Sequence, residues 1–370
     1  MERSTDTVPQ GTTASDQISR EELQLATRNH GMPLEALRYP VTPLGLHYLL
    51  IHYDIPAAVD PAAWRLRVDG RVERELALSL DELRRRPRVT LLVTLECAGN
   101  GRARLSPRAV SQPWLVEAIG TAEWTGTPLG PLLDEAGLAG EVVEVVFTGL
   151  DRGVEGGVEQ RYQRALPLEE ARRDEVLLVY EVNGQPLPPQ HGFPLRLLVP
   201  GWYGMASVKW LERITATTEP FDGYQQSRSY RLRRDPSEDG QPLTRIAPRS
   251  LLIPPGIPDH LTRRRFVPTG PCGLQGRAWS GWGPIVEVEA SADGGATWAA
   301  AEVDPPDAPH AWQGWSYRWD PPGPGEYELC CRATDASGRR QPTGPQWNLG
   351  GYADNQVHRV AVTVTEGVGT

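Results

Sequence analysis

Leu91 to Arg102 read LLVTLECAGNGR, and the chain changes character within one residue of Glu96. Leu91, Leu92, Val93, Thr94 and Leu95 form an unbroken apolar and β-branched run. That pattern predicts a strand buried on both faces. Cys97 is followed by Ala98, Gly99, Asn100 and Gly101, all small or turn-forming. Nothing larger than a methyl group stands in the way at Ala98 and Gly99, so the backbone there can approach a ligand closely. Arg102 adds a positive charge. A thiol at the end of a buried strand, in a small-residue turn beside a cation, is where a reactive or metal-bound thiolate is expected. The competing reading is a buried cysteine acting as a small hydrophobe.

Working outward, 370 residues exceed one ordinary core, so two domains are expected. Hydrophobic content of 39% and charged content of 23% are those of a soluble globular chain. A net charge of −9 argues against nucleic acid and against an anionic membrane surface. An anionic substrate must then be drawn in by a local basic patch. Cys97, Cys272, Cys330 and Cys331 lack metal-finger or haem spacing. Cys330 and Cys331 read as strand residues rather than a bridge, and a reducing compartment follows. The polar N-terminus has no apolar export segment and no twin arginine, which reads as cytoplasmic. No apolar run is long enough to span a membrane. Residues 1–19 read as a disordered tail. Lys209 is the only lysine among 38 basic residues. Such a chain uses an ammonium either by chance or where a compact point charge must meet a phosphate.

TLECAGNGR resembles the cysteine motif of the sulfite oxidase family of molybdenum enzymes. The likeness continues through Gly120–Leu129 (GTAEWTGTPL), His191–Leu211 (HGFPLRLLVPGWYGMASVKWL) and Ala278–Trp298 (AWSGWGPIVEVEASADGGATW), in the family's order. It covers nearly the whole chain from about Arg28. The resemblance implies that Cys97 is the single protein ligand of molybdenum, the rest coming from a pterin dithiolene and terminal oxygens. The cofactor the resemblance implies is molybdenum–molybdopterin, and no haem is expected in this chain, since no Cys-x-x-Cys-His is present.

Other residues take their meaning from the same likeness. Arg28, Asn29 and His30 resemble the family's N-terminal active-site segment, where the Arg faces the substrate anion and its neighbours touch the pterin. His47 and His52 read as structural. Asp151, alone a turn aspartate, would hold the pterin ring. His191, Arg196, Ser207, Val208 and Lys209 lie amid glycines and read as an anion cradle, which the resemblance makes the cofactor's phosphate site. Tyr230 matches the family's active-site tyrosine, with Tyr224 the competing assignment. Arg102 suits an oxyanion because a planar guanidinium grips two oxygens at once.

Local patterns complete the fold. Ser79 and Glu82 form a capping box. Pro128–Leu138 reads as a helix with Pro at its start. Glu141–Thr148 reads as a strand. From about Gln241 the chain alternates with period two, as in Ile285–Ser291, with a hairpin turn at Asp293-Gly294-Gly295. The expected fold is an α+β molybdopterin-binding domain of sulfite oxidase type over 20–235, then an all-β immunoglobulin-like sandwich over 236–370. The resemblance identifies the second as a dimerisation domain, implying a homodimer.

The expected activity is oxidation of sulfite, a small oxyanion, with electrons passed to a separate acceptor. Pro284 stands where sulfite-oxidising members carry a substrate Arg, and Gly101 where many relatives have Arg. Nitrate reduction is therefore the alternative within the family, with Arg104, Arg108 or Arg228 as cations that could compensate. A degenerate binding module is the non-enzyme alternative, against which the intact CAGN segment argues.

Overall fold

The computed structural model describes residues 13–14, 18–57 and 59–366. Most of the chain expected as a tail lies outside these. Within it, Thr13–Ala14 pair antiparallel with Arg108–Ala109. Ser19 caps the helix Arg20–Arg28, with the reciprocal Ser19–Glu22 box formed. Glu22 is fully buried against Arg108 at 2.9 Å.

Two five-stranded sheets make the first region. In one, Val89–Glu96 pairs antiparallel with Ile119–Pro128, which pairs with Leu177–Val182. Arg196–Leu198 and Gln185–Pro186 also pair with Leu177–Val182. Burial along Val89–Glu96 deepens toward the cysteine end, where Val93 to Glu96 are all buried. That strand's edge is covered by the C-terminal region. Thr94 N–H donates to the His310 carbonyl at 2.9 Å, and Trp312 N–H to Thr94 Oγ1 at 2.8 Å. The other sheet runs Leu76–Leu78, Leu66–Gly70, Leu211–Thr217, Glu144–Glu155 and Val158–Pro167. Leu211–Thr217 and Leu66–Gly70 form its parallel pair.

The expected helix from Pro128 begins later, at Gly130–Ala136, with Pro131 in its first turn. Pro128 instead ends a strand, opposite Leu177. Gly137, at φ 68°, closes the helix as only a residue free of a Cβ readily can. The Ser79–Glu82 box caps Leu80–Arg84 as expected.

The C-terminal region is built from a four-stranded and a six-stranded sheet. Leu252, Val267, Leu274, Val288, Trp315, Leu329 and Val362 fill the core between them. Cys330 and Cys331 are free and lie in the strand Gly325–Asp335. Alternation in Ile285–Ser291 is broken by a register shift between Ile285 and Glu287, which leaves two successive residues exposed. Trp279, Trp312, Leu243 and Ile246 belong to the large core of the first region, so the two regions share apolar packing. Among the described residues no helix is long and apolar enough to cross a membrane.

Candidate active site

Cys97 leaves its strand buried, with its backbone N–H donating to the Ala118 carbonyl at 2.9 Å. The turn closes when Asn100 N–H donates to the Cys97 carbonyl at 3.0 Å. Asn100 then fixes the loop with its side chain. It donates to Glu96 Oε1 at 3.1 Å and to the Val116 carbonyl at 3.2 Å, and accepts from Ala118 N–H at 3.1 Å. Gly101 sits at φ 95°, and a Cβ there would strike Asp354. That explains a glycine where an arginine was the family expectation. Beneath the loop, Glu96 is fully buried but satisfied by Arg249 Nε at 2.8 Å and Trp279 Nε1 at 2.8 Å. Burial pushes the Cys97 thiol above its ordinary value, opposed by the Gly99 N–H and the nearby Arg102.

The thiol opens on a cavity of about 70 Å³. Asp151, His191, Arg196, Ser207, Lys209 and Tyr230 line it, as do Tyr48 and Tyr162. Arg196 donates to the carbonyls of His191 and Ser207, each at 3.2 Å, and lies 4.7 Å over the Trp124 ring. Its Nε has no partner. Burial draws its guanidinium down to about 10. Lys209 Nζ donates to the carbonyls of Leu50 and Gln190 at 2.7 and 3.0 Å. Burial and then the Arg196 charge bring it down to about 7, with Asp151 opposing. His191 falls to about 2, chiefly by burial. Asp151 rises to about 6 by burial, against the pull of Lys209, and its Oδ1 is an orphan. Ser207 Oγ is already taken by the Val199 N–H at 3.1 Å. Val208 is core and is not part of the cavity lining.

The N-terminal segment behaves differently from its expected role. Arg28 and His30 are exposed, and none of Arg28, Asn29 and His30 lines the cavity. Arg28 donates to the Tyr53 carbonyl at 2.7 Å, beside the cavity-lining His52, so it stands at the rim. Asn29 is buried and works as a staple, accepting from Ile51 N–H at 2.7 Å and donating to Gln112 at 2.9 Å. His30 forms a backbone bridge with Leu49. The three residues pin the segment 49–53, and residues 47–50 and 52 supply part of the wall.

His47 and His52, read from sequence as structural, therefore line the cavity. His47 is buried, falls to about 4 by burial, and leaves Nε2 unpartnered. Its ring meets His191 edge-on at 5.6 Å. The repeated histidines of LHYLLIH were the available signal. Tyr230 lines the cavity and Tyr224 does not; Tyr224 packs by Gly156 instead. Tyr230 adopts φ 53°, an unusual backbone for a bulky residue. Arg102 is buried behind Gly99, with Nε donating to the Gly350 carbonyl at 2.9 Å and the guanidinium 5.1 Å over Tyr352. Pro284 lies outside the lining, its carbonyl accepting from Ala336 N–H. Of the arginines named as substitutes, Arg104 donates to the Val357 carbonyl, Arg108 pairs with Glu22, and Arg228 is exposed.

These residues fit a molybdenum–pterin group. Among the described residues no cluster of His, Cys, Asp or Glu holds a metal by itself. A metal at Cys97 would take its other ligands from a bound organic group. Orphaned Arg196 Nε and Asp151 Oδ1 offer a donor and an acceptor to such a group. Arg196 and Lys209, with no carboxylate within ion-pair distance among the described residues, suit its phosphate.

Comparison with known proteins agrees with this geometry. Residues 52–225 match the family described as an oxidoreductase molybdopterin binding domain. Residues 250–365 match the Mo-co oxidoreductase dimerisation domain. Sulfite oxidase of Gallus gallus is 38% identical over 339 residues, covering 86% of this chain and 72% of that protein. Mitochondrial sulfite oxidase of Mus musculus is 37% identical over 343 residues, covering 88% of this chain and 62% of its own length. The chain thus spans less than two thirds of that relative. A nitrate reductase [NADH] of Solanum lycopersicum is 30% identical over 91% of this chain and 40% of its own. Among solved structures, the sulfane dehydrogenase SoxCD from Paracoccus pantotrophus superposes with a TM-score of 0.76. It is 26% identical and covers 97% of this chain and 92% of that one.

Proposed function

The chain belongs to the sulfite oxidase family of molybdopterin-dependent oxidoreductases, and from that premise we propose that it oxidises sulfite to sulfate. Sulfite and water become sulfate, two protons and two electrons, and the electrons pass to a separate acceptor. The observation that carries this reading is Cys97 opening on a cavity whose Arg196 and Lys209 meet only carbonyls and rings. When bound, the molybdenum–pterin group supplies the oxygen-atom transfer and accepts the electrons.

The chain's own residues do the holding and orienting. Cys97 would ligate the metal. Its loop is rigid because Asn100 and Glu96 are hydrogen-bonded on every side. Lys209, Arg196 and His191 would hold the phosphate end, and Asp151 would accept from the ring N–H groups. Arg102 and Tyr230 would orient the oxyanion. Arg28, at the rim, would draw anions toward the cavity against the net charge of −9.

We extend the proposal to the assembly. The C-terminal region, from about residue 236, would be an immunoglobulin-like sandwich joining two copies of the chain about a two-fold axis. Light scattering at micromolar concentration checks this, and a monomer would contradict it. Four free cysteines support a reducing, cytoplasmic setting.

Nitrate reduction is the second reading, supported by Pro284 at a position where a substrate Arg was expected. Single turnover separates the two. Sulfite should reduce the oxidised, metal-replete protein. If it does not, and nitrate reoxidises the reduced protein, the second reading replaces the first.

A further inference from the structure

Arg164 gives no signal in its sequence context, yet it is among the most buried arginines of the described residues. It lies on the strand Val158–Pro167, two residues from the cavity-lining Tyr162, so both project from one face. It is 3% exposed, and no carboxylate lies within ion-pair distance among the described residues. One of its terminal nitrogens donates to the Gln225 carbonyl, while its Nε has no partner. The guanidinium lies 5.4 Å over the Tyr230 ring. Tyr230 in turn lies 5.3 Å from Tyr352, and Arg102 lies 5.1 Å over Tyr352. The result is a stack with a buried, carboxylate-free arginine at each end and two tyrosines between, one of which lines the cavity. Neither guanidinium lines the cavity itself, but two buried positive charges without counterions are costly unless an anion arrives near them, and Tyr230 is where the stack meets the cavity.

We propose that Arg164 is the second buried cation of the oxyanion site and positions Tyr230, so that anion affinity rather than the chemical step depends on it. This rests on the oxyanion reading above. It also accounts for Pro284: the cation absent from the C-terminal region is supplied from the sheet that bears Tyr162.

The test uses metal-replete protein, with sulfite as substrate and inorganic sulfate as the dead-end anion. Arg164→Gln should raise the KM for sulfite and the Ki for sulfate by about tenfold or more, as expected of one charge several ångströms from the anion. Its kcat should stay within a few-fold. Arg164→Lys, which keeps the charge, should restore much of the sulfate affinity, a rescue that a merely structural role would not give. Unchanged KM and Ki in Arg164→Gln would overturn the inference. If that variant does not fold, selenate bound to crystals of the wild-type protein decides. Density beside Tyr230, between Arg102 and Arg164, supports the site, and selenate bound only elsewhere overturns it. Sulfate binding that depends on Arg164, in protein that sulfite cannot reduce, supports the anion site and sinks the sulfite reading alone.

Discussion

Arg249 and Lys209 are both cations removed from bulk water, and their surroundings differ. Arg249, on the first strand of the four-stranded C-terminal sheet, meets Glu96 at 2.8 Å. Its neighbours in that region follow suit: Arg265 meets Glu35 at 3.2 Å, Arg332 meets Glu289 at 2.7 Å and Arg359 meets Glu328 at 2.6 Å. In the cavity wall Lys209 and Arg196 meet only carbonyls and aromatic faces. Arg102 and Arg164 do the same beside Tyr230. The pairs Arg249–Glu96 and Arg265–Glu35 join the two regions, while Arg332–Glu289 and Arg359–Glu328 tie strands within the six-stranded C-terminal sheet. Unpaired buried cations raise the energy of the protein by itself and lower it once an anion is present, which is the signature of a ligand site.

The largest effect that could break this contrast is loss of the thiol. Cys97→Ser is nearly isosteric and should keep the fold while abolishing turnover, because a hydroxyl is a poor replacement for thiolate at a soft metal site. Full activity in that variant would remove Cys97 from the chemistry. Next comes the paired cation. Arg249→Met leaves Glu96 buried without its counterion, and should destabilise the protein by about 3–5 kcal/mol in denaturant titration. A change within experimental error would mean that the pairing does not hold the regions together.

A smaller effect lies in the C-terminal region. His358 is brought down to about 3 by burial, with Arg104 and Arg249 adding repulsion. Its Nδ1 accepts from Leu252 N–H at 3.0 Å, which requires the neutral ring. The folded state therefore resists a proton that the unfolded chain accepts near 6.5. Stability from this group is complete above that value and is lost as pH falls below it, by about 2 kcal/mol at pH 5. Replacing His358 with Gln should flatten that dependence; an equal slope in the variant would assign it elsewhere.

An effect of similar size sharpens the contrast on the cavity side. Lys209 is held at about 7, below its ordinary value of 10.5. Cofactor-free protein should then gain stability as pH rises from 7 toward 10.5, since only the unfolded chain keeps the proton in that window. A bound phosphate would restore the charge and flatten the slope, as would Lys209→Gln. Melting temperatures at pH 7 and 9 read this, and a slope unaltered by Lys209→Gln would count against the assignment.

How much of this was legible in the sequence depends on distance along the chain. The strand ending at Cys97 and the Ser79–Glu82 cap are local patterns and lie where their residues suggested, and of the expected cradle His191, Arg196, Ser207 and Lys209 share the cavity wall while Val208 does not. The lone lysine pointed to Lys209 through composition. The RNH triplet misled because three residues matched while their packing did not: Asn29 is turned inward to hold Ile51, which leaves Arg28 outside. Arg164 gave no signal, since its meaning comes from Gln225 and Tyr230, brought to it only by the folding of a distant connection. The same holds for Glu96, whose partner Arg249 arrives from the other region.

We propose that the cavity at Cys97 holds a molybdenum–pterin group. It is tested most directly by elemental analysis of protein purified from a cofactor-producing host, together with the fluorescence of pterin released on denaturation. Stoichiometric molybdenum with matching pterin is expected in the wild type, and reduced retention of both in Lys209→Arg, whose planar head cannot replace a compact ammonium. Folded wild-type protein carrying neither metal nor pterin would contradict it.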